Sequence, residues 1–224
     1  MANTKSKREE AIQENLEQTV SSTEKFFTKY GKTMWITFAA VVVVGLGILL
    51  YNKFVYQSQC NEAMEQAFPA EQNFQNGEYE LALNGDGNNL GFADVIKNYG
   101  AKAGKAVYFY AAICELNLGN FEDAISYLKK YNVKEPILAA RAKACEGDAY
   151  VGLQNYKAAV DCFEKAASVS DNVFAAGYLM KAGLAYEALG DKASALACYN
   201  KIEDMYPQSV EAYDIAASIA RVSE

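Results

Sequence analysis

The chain has 224 residues, a formal net charge of −7, no histidine and five cysteines. The lack of histidine removes every His-based catalytic triad, and the acidic balance works against nucleic-acid partners, which need clustered positive charge to displace counterions. An odd cysteine count without a C-x-x-C pair argues against a disulfide scaffold, and zinc would need its thiols in closer groups.

The first 32 residues mix six Lys/Arg with five Glu. Within them Ile12, Leu16, Val20, Thr23, Phe27 and Tyr30 recur at three- and four-residue steps, which predicts an amphipathic helical arm over 1–32. Residues 33–52 follow without a single charge. At about 1.5 Å per residue, twenty helical positions match a hydrocarbon core of roughly 30 Å. Trp35 and Tyr51 stand near its ends at headgroup level, and Lys32 and Lys53 close it. No small-residue cleavage site follows, so a retained transmembrane helix is expected in preference to a secretory signal. Lys25, Lys29 and Lys32 precede the span closely, while after Lys53 the next basic residue is Lys97. Basic flanks stay on the cytoplasmic side, which places the N-terminus inside and the bulk outside the membrane.

From Phe54 onward there are 14 Lys/Arg against 23 Asp/Glu, enough chain for one acidic domain. Residues 53–104 read as a connecting helix and a degenerate first repeat, NGEYELAL from Asn76, interrupted by a turn-rich insert over 84–91. Asn84, Asp86 and Asn88 alternate there as in a calcium loop. Asn89 stands where the bend needs glycine, however, and Val95 where a bidentate Glu belongs, so a surface turn is expected.

Three ungapped copies follow, LGNFEDAISYLKKYNVKEP from Leu118, LQNYKAAVDCFEKAASVSD from Leu153 and LGDKASALACYNKIEDMYP from Leu189, at intervals of 35 and 36 residues. Each carries an alanine (Ala124, Ala159, Ala195) and, four residues later, a bulky residue (Leu128, Phe163, Tyr199). A small residue (Ala112, Gly147, Gly183) lies upstream in each. The pattern predicts antiparallel helix pairs over about 105–138, 140–173 and 176–209, with small residues admitting bulky ones and neighbouring hairpins burying each other's faces. A capping helix is expected over 208–224, from the spacing of Val210, Tyr213, Ile215 and Ile219. Cys114, Cys145, Cys162 and Cys198 fall where small apolar residues pack, and Cys60 lies just beyond the span. No phosphate-cradling glycine loop appears. The expected class is all-α, an α-hairpin solenoid behind one membrane helix, with no enzymatic activity and no cofactor or metal.

These residues resemble the tetratricopeptide repeat family, through Gly183, Tyr186, Leu189-Gly190, Ala195, Tyr199 and Pro207, and through Ala112, Leu118-Gly119, Phe121, Ala124 and Pro136 in the first copy. The middle copy matches with Gly147, Tyr150, Leu153, Tyr156, Ala159, Phe163 and Ala166. Departures are Glu115 for a tyrosine, Gln154 for glycine, Lys192 for an aromatic, and Tyr131 and Ile202 for small residues. The resemblance implies a concave, protein-binding groove formed by the first helix of each repeat, with Phe109, Tyr110, Ile113, Arg141, Asp148, Met180, Lys181 and Leu184 facing it. The carboxylate clamp of some relatives is absent, since Phe109, Ile113 and Cys145 stand where its lysine and asparagines would be. An apolar groove with isolated charges suits an amphipathic segment. The same residues could instead fill the interior against the N-terminal hairpin.

The architecture as a whole resembles the ancillary subunit of the bacterial Sec translocon, an inner-membrane protein with a periplasmic repeat domain. That resemblance implies a tethered adaptor in protein export or envelope assembly, with translocon, periplasmic chaperones or exported chains as partners. The alternatives are an envelope scaffold, a self-assembling homo-oligomer without clients, or an import receptor whose repeats face the cytosol.

Overall fold

The computed structural model describes residues 28–169 and 174–223, and the N-terminal arm expected over 1–32 lies almost wholly outside them. The chain divides into two compact units, Met1–Ser58 and Gln59–Glu224.

The described part of the first unit is helical, within helix α1, Thr28–Gln75. This helix is long and apolar enough to cross a membrane, and Trp35, Ile36, Phe38, Val41, Val43, Ile48 and Leu49 are all exposed along it. Thr37 donates its hydroxyl to the carbonyls of Thr33 and Met34 at 3.0 and 2.9 Å, which satisfies it within the helix. Five residues, Asn52–Tyr56, are wound as a π-helix just where the uncharged run ends. Beyond it α1 continues over Gln57–Gln75 with Pro69 inside the helix, at a position whose missing N–H leaves one carbonyl without its usual donor.

The second unit is a stack of helix pairs. The end of α1 packs with α2 (Tyr79–Asn84), α3 (Phe92–Tyr99) and the 3₁₀ turn Gly100–Ala103 around Ala67, Ala70, Ala82, Leu83, Phe92 and Val95. Three hairpins follow: α4 (Lys105–Leu118) with α5 (Phe121–Lys130), α6 (Pro136–Gly152) with α7 (Tyr156–Val169), and α8 (Ala175–Ala188) with α9 (Lys192–Met205). Helix α10, Ile215–Ser223, closes the stack. The expected all-α hairpin solenoid is what forms.

The small-to-bulky pairing has a direct steric basis. A Cβ on Gly147 would lie 2.6 Å from the Phe163 ring, and one on Gly183 would lie 2.3 Å from the Tyr199 ring. Between hairpins, a Cβ on Gly152 would reach Phe121 at 2.4 Å. In the first hairpin Ala112 and Leu128 share a cluster. Ala82, Ala124, Ala159 and Ala195, equivalent by alignment, are all 0% exposed.

Helix boundaries follow local chemistry. Glu135 caps α6, accepting from the N–H of Ile137 and Leu138 with Pro136 in the first turn, and Asp191 caps α9 through Ser194. The turn between paired helices needs a left-handed residue. Gly77, Gly119 and Gly190 provide it at φ 79°, 83° and 78°, and Gln154 adopts φ 58° at the equivalent point. The departure from glycine there changes the residue and leaves the turn intact.

The second helix of the degenerate repeat spans Tyr79–Asn84 and stops where the insert folds back on itself through a Gly85–Leu90 bridge. Asp86 accepts from the N–H groups of Asn88 and Asn89 at 2.9 and 2.7 Å, so its carboxylate is engaged in the turn. The cap expected over 208–224 is helical only from Ile215. Residues 207–213 form turns in which Ser209 accepts from the Ala212 N–H at 3.2 Å, competing with helix. Val210 and Tyr213, expected on the buried face, are 88% and 89% exposed.

What fastens α10 is a three-helix knot. Arg221 donates from Nε and Nη2 to Glu187 at 2.9 and 2.8 Å, and the fully buried Tyr199 donates its hydroxyl to the same carboxylate. The Arg221 contact, followed by the Tyr199 hydrogen bond, outweighs burial and holds the Glu187 carboxyl down at about 2.

Two outcomes are expected. Gly183→Ala forces a methyl into the Tyr199 ring and lowers stability by about 1–3 kcal/mol, whereas Gln154→Gly relieves a left-handed side chain and raises it by about 1 kcal/mol; chemical denaturation of both variants measures the opposite signs. Because the folded Glu187 pKa is lower than the unfolded one, its contribution is complete above about pH 4.5 and disappears as pH falls towards 2. Hydrogen-exchange protection over α10, taken relative to the intrinsic rate at each pH, should therefore fall across that window, and Glu187→Gln should flatten the response.

Candidate functional site

The first helices of the three hairpins, α4, α6 and α8, form one continuous ledge through side chains that bridge them. On α4, Phe109 is half-buried and its ring lies 5.0 Å from that of Tyr131. The Arg141 guanidinium of α6 sits over the same Phe109 ring at 5.5 Å. One turn further along α6, Cys145 packs against the same buried cluster of Ala112, Leu128 and Ala142 as Phe109 and Tyr131. Asp148 then accepts both of its hydrogen bonds from Lys181 of α8, at 2.8 and 2.7 Å. Tyr178, one turn before Lys181, has its phenol pushed up by burial and feels the charges of Arg141 and Asp148.

Of the eight residues picked from sequence, Phe109 and Arg141 form one contact and Asp148 and Lys181 another, the two pairs linked through helix α6. Ile113 lies one turn beyond Phe109 and is half-buried, and Leu184 lies one turn beyond Lys181 and is 50% exposed. Two others are engaged elsewhere. Tyr110 stacks on Phe92 with ring centres 5.6 Å apart and touches Phe74 at 5.0 Å, joining α4 to the N-terminal cluster. Met180 packs into the C-terminal cluster with Leu179, Tyr199 and Ile215. Sequence reading overlooked Tyr178, although it stands three residues before Lys181 on the same helical face. It noted Tyr131 only as a departure, where a large ring replaces a small residue.

The ledge offers aromatic and aliphatic area, two cations resting on rings (Arg141 on Phe109 and Lys181 on Phe163) and one exposed ion pair. The Lys181–Asp148 pair is half open to solvent and contributes no more than about 1 kcal/mol to stability, so breaking it to engage a ligand is inexpensive. Nothing in this set works as a nucleophile with a base. The Cys145 thiol is driven up to about 11, by burial first and Asp148 second, which leaves it protonated at neutral pH. Burial raises Cys114 to about 12 and Cys162 and Cys198 to about 11. Among the described residues no group of three His, Cys, Asp or Glu side chains is placed to hold a metal ion.

Native-state alkylation at pH 8 should accordingly label the half-exposed Cys60 first and Cys145, equally half-exposed but held protonated, more slowly, with Cys114, Cys162 and Cys198 labelled only after denaturation. Intact-mass measurement before and after unfolding counts the adducts.

The tetratricopeptide repeat family matches residues 106–136 and 146–210. No curated protein matches the chain. Among solved structures, a crystal structure of MamA is similar with a TM-score of 0.55 and 23% identity, covering 68% of this chain and 81% of that one. A second MamA crystal structure gives 0.54 and 21%, covering 75% and 87%. At such identities the likeness concerns the fold.

Proposed function

We propose, from the premise that the chain is a tetratricopeptide-repeat protein and hence an interaction scaffold, that it is a membrane-tethered adaptor. In this reading it holds segments of partner proteins on the ledge formed by α4, α6 and α8. The observation that carries it is the run from Phe109 through Arg141 and Asp148 to Lys181. It spans three hairpins, leaves Leu184 exposed beside it, and has no chemistry of its own. Apolar area interrupted by single charges fits an amphipathic helix or an extended segment with spaced apolar side chains.

The exposed apolar stretch of α1 supports a tether, and the lysines before it favour a cytoplasmic N-terminus with the repeats outside the inner membrane. Tethering confines weak partners to the membrane surface and raises their effective concentration. Protein export or envelope protein assembly is the process this arrangement suits, with translocon components, periplasmic chaperones or exported chains as the partners held. The scaffold reading without clients and the cytosol-facing import receptor differ from this in what the ledge meets and where it faces.

A photo-crosslinker replacing Leu184 should trap partner proteins in cells, while one replacing the exposed Lys165 on α7 should not. Protease added to spheroplasts should degrade the repeats. Equal capture at both positions would remove the groove assignment, and full protection of the repeats would reverse the topology.

A further inference from the structure

We propose that the C-terminal turn of one copy, Val210–Asp214, seats on the α4–α6–α8 ledge of a second copy. This rests on the reading of that ledge as a peptide-binding surface and names one occupant for it.

Val210 and Tyr213 are more exposed than any other large apolar side chain among the described residues, including those of the membrane-length stretch, where Trp35 reaches 73%. They are held in that state by structure. The turn around them is closed by the hydrogen bonds from Ala212 to Ser209 and from Tyr213 to Val210, and it is followed at once by the fastened helix α10. Two large apolar groups three residues apart on an ordered turn present a patch that water solvates poorly. Glu211 lies against Gly177 near the start of α8 in its own chain, whereas Val210, Tyr213 and Asp214 are left exposed for a second copy.

The charges match. Among the described residues Asp214 of the turn is exposed and in no ion pair, and on the ledge Lys181 is already paired with Asp148, which leaves Arg141 as the cation to be met. Among the described residues Arg141 forms no ion pair and rests on the Phe109 ring. Tyr213 and Val210 would cover the Phe109, Tyr131 and Leu184 area while Asp214 pairs with Arg141. Donor turn and acceptor ledge are different surfaces, so the contact is heterologous and propagates into a ring or an open row of copies along the membrane. A client segment of similar chemistry would compete with it.

The test uses the full chain in mild detergent with a photo-crosslinker replacing Tyr213. The expected product is a covalent dimer whose junction peptides come from α6 or α8. Light scattering should show mass rising with concentration, and Val210→Ser with Tyr213→Ser, which alter only exposed side chains, should return the chain to a monomer. Arg141→Glu should abolish the dimer, and adding Asp214→Arg should restore it. A chain that is monomeric at every concentration, or a junction mapping away from α6 and α8, overturns the proposal. If Leu184 still captures other proteins in that case, the adaptor reading stands and only self-occupancy falls.

Discussion

Close approach of paired helices is the constraint on which the second unit depends. At Gly147 and Gly183 the backbone of one helix comes so near the ring of its partner that no side chain fits between them. That contact sets the spacing within each hairpin, and the spacing sets how much of Ala124, Ala159 and Ala195 can be sealed from water. Each hairpin still has an open side, closed by the next one: Gly152 receives Phe121 from the preceding pair, and Ala182 and Ala185 of α8 complete the cluster of α6 and α7. Order therefore builds up by nearest neighbours, and a defect in one pair is felt mainly by the pairs beside it.

The ends of such a stack need their own solutions, and this chain uses two. At the N-terminal side aromatic rings do the work, with Phe74, Phe92 and Tyr110 joining helices that the insert has shortened. At the C-terminal side a polar knot of Glu187, Tyr199 and Arg221 fastens a short amphipathic helix over Tyr199 and Ile202. Tyr110 is thus diverted from the ledge by the first solution, and Met180 by the second.

The repeats were legible in the sequence because their determinants are local: a small residue, an alanine and a bulky residue at fixed offsets, with a left-handed turn between. Gln154 shows that even the odd residue keeps the geometry, since neighbouring packing forces the turn. The start of α10 was less legible. There, short-range competition by Ser209 for the Ala212 N–H decided against helix, and apolar spacing does not report such competition. On the ledge, the charged residues could be placed by helical phase alone. The fate of Tyr110 and Met180 could not, because it depends on which neighbouring helix supplies a cavity for a large side chain.

Four thiols are distributed over the hairpins, on α4, α6, α7 and α9; three are shielded by the stacking of the pairs, Cys145 is half-exposed, and all four are kept protonated by burial. While the stack is closed they react slowly or not at all. Should neighbouring pairs separate in an oxidising milieu, the freed sulfurs could couple in several wrong combinations, each locking a misregistered array. Reversible loosening would then become irreversible damage, and the lifetime of the native form would be governed by how seldom adjacent pairs part.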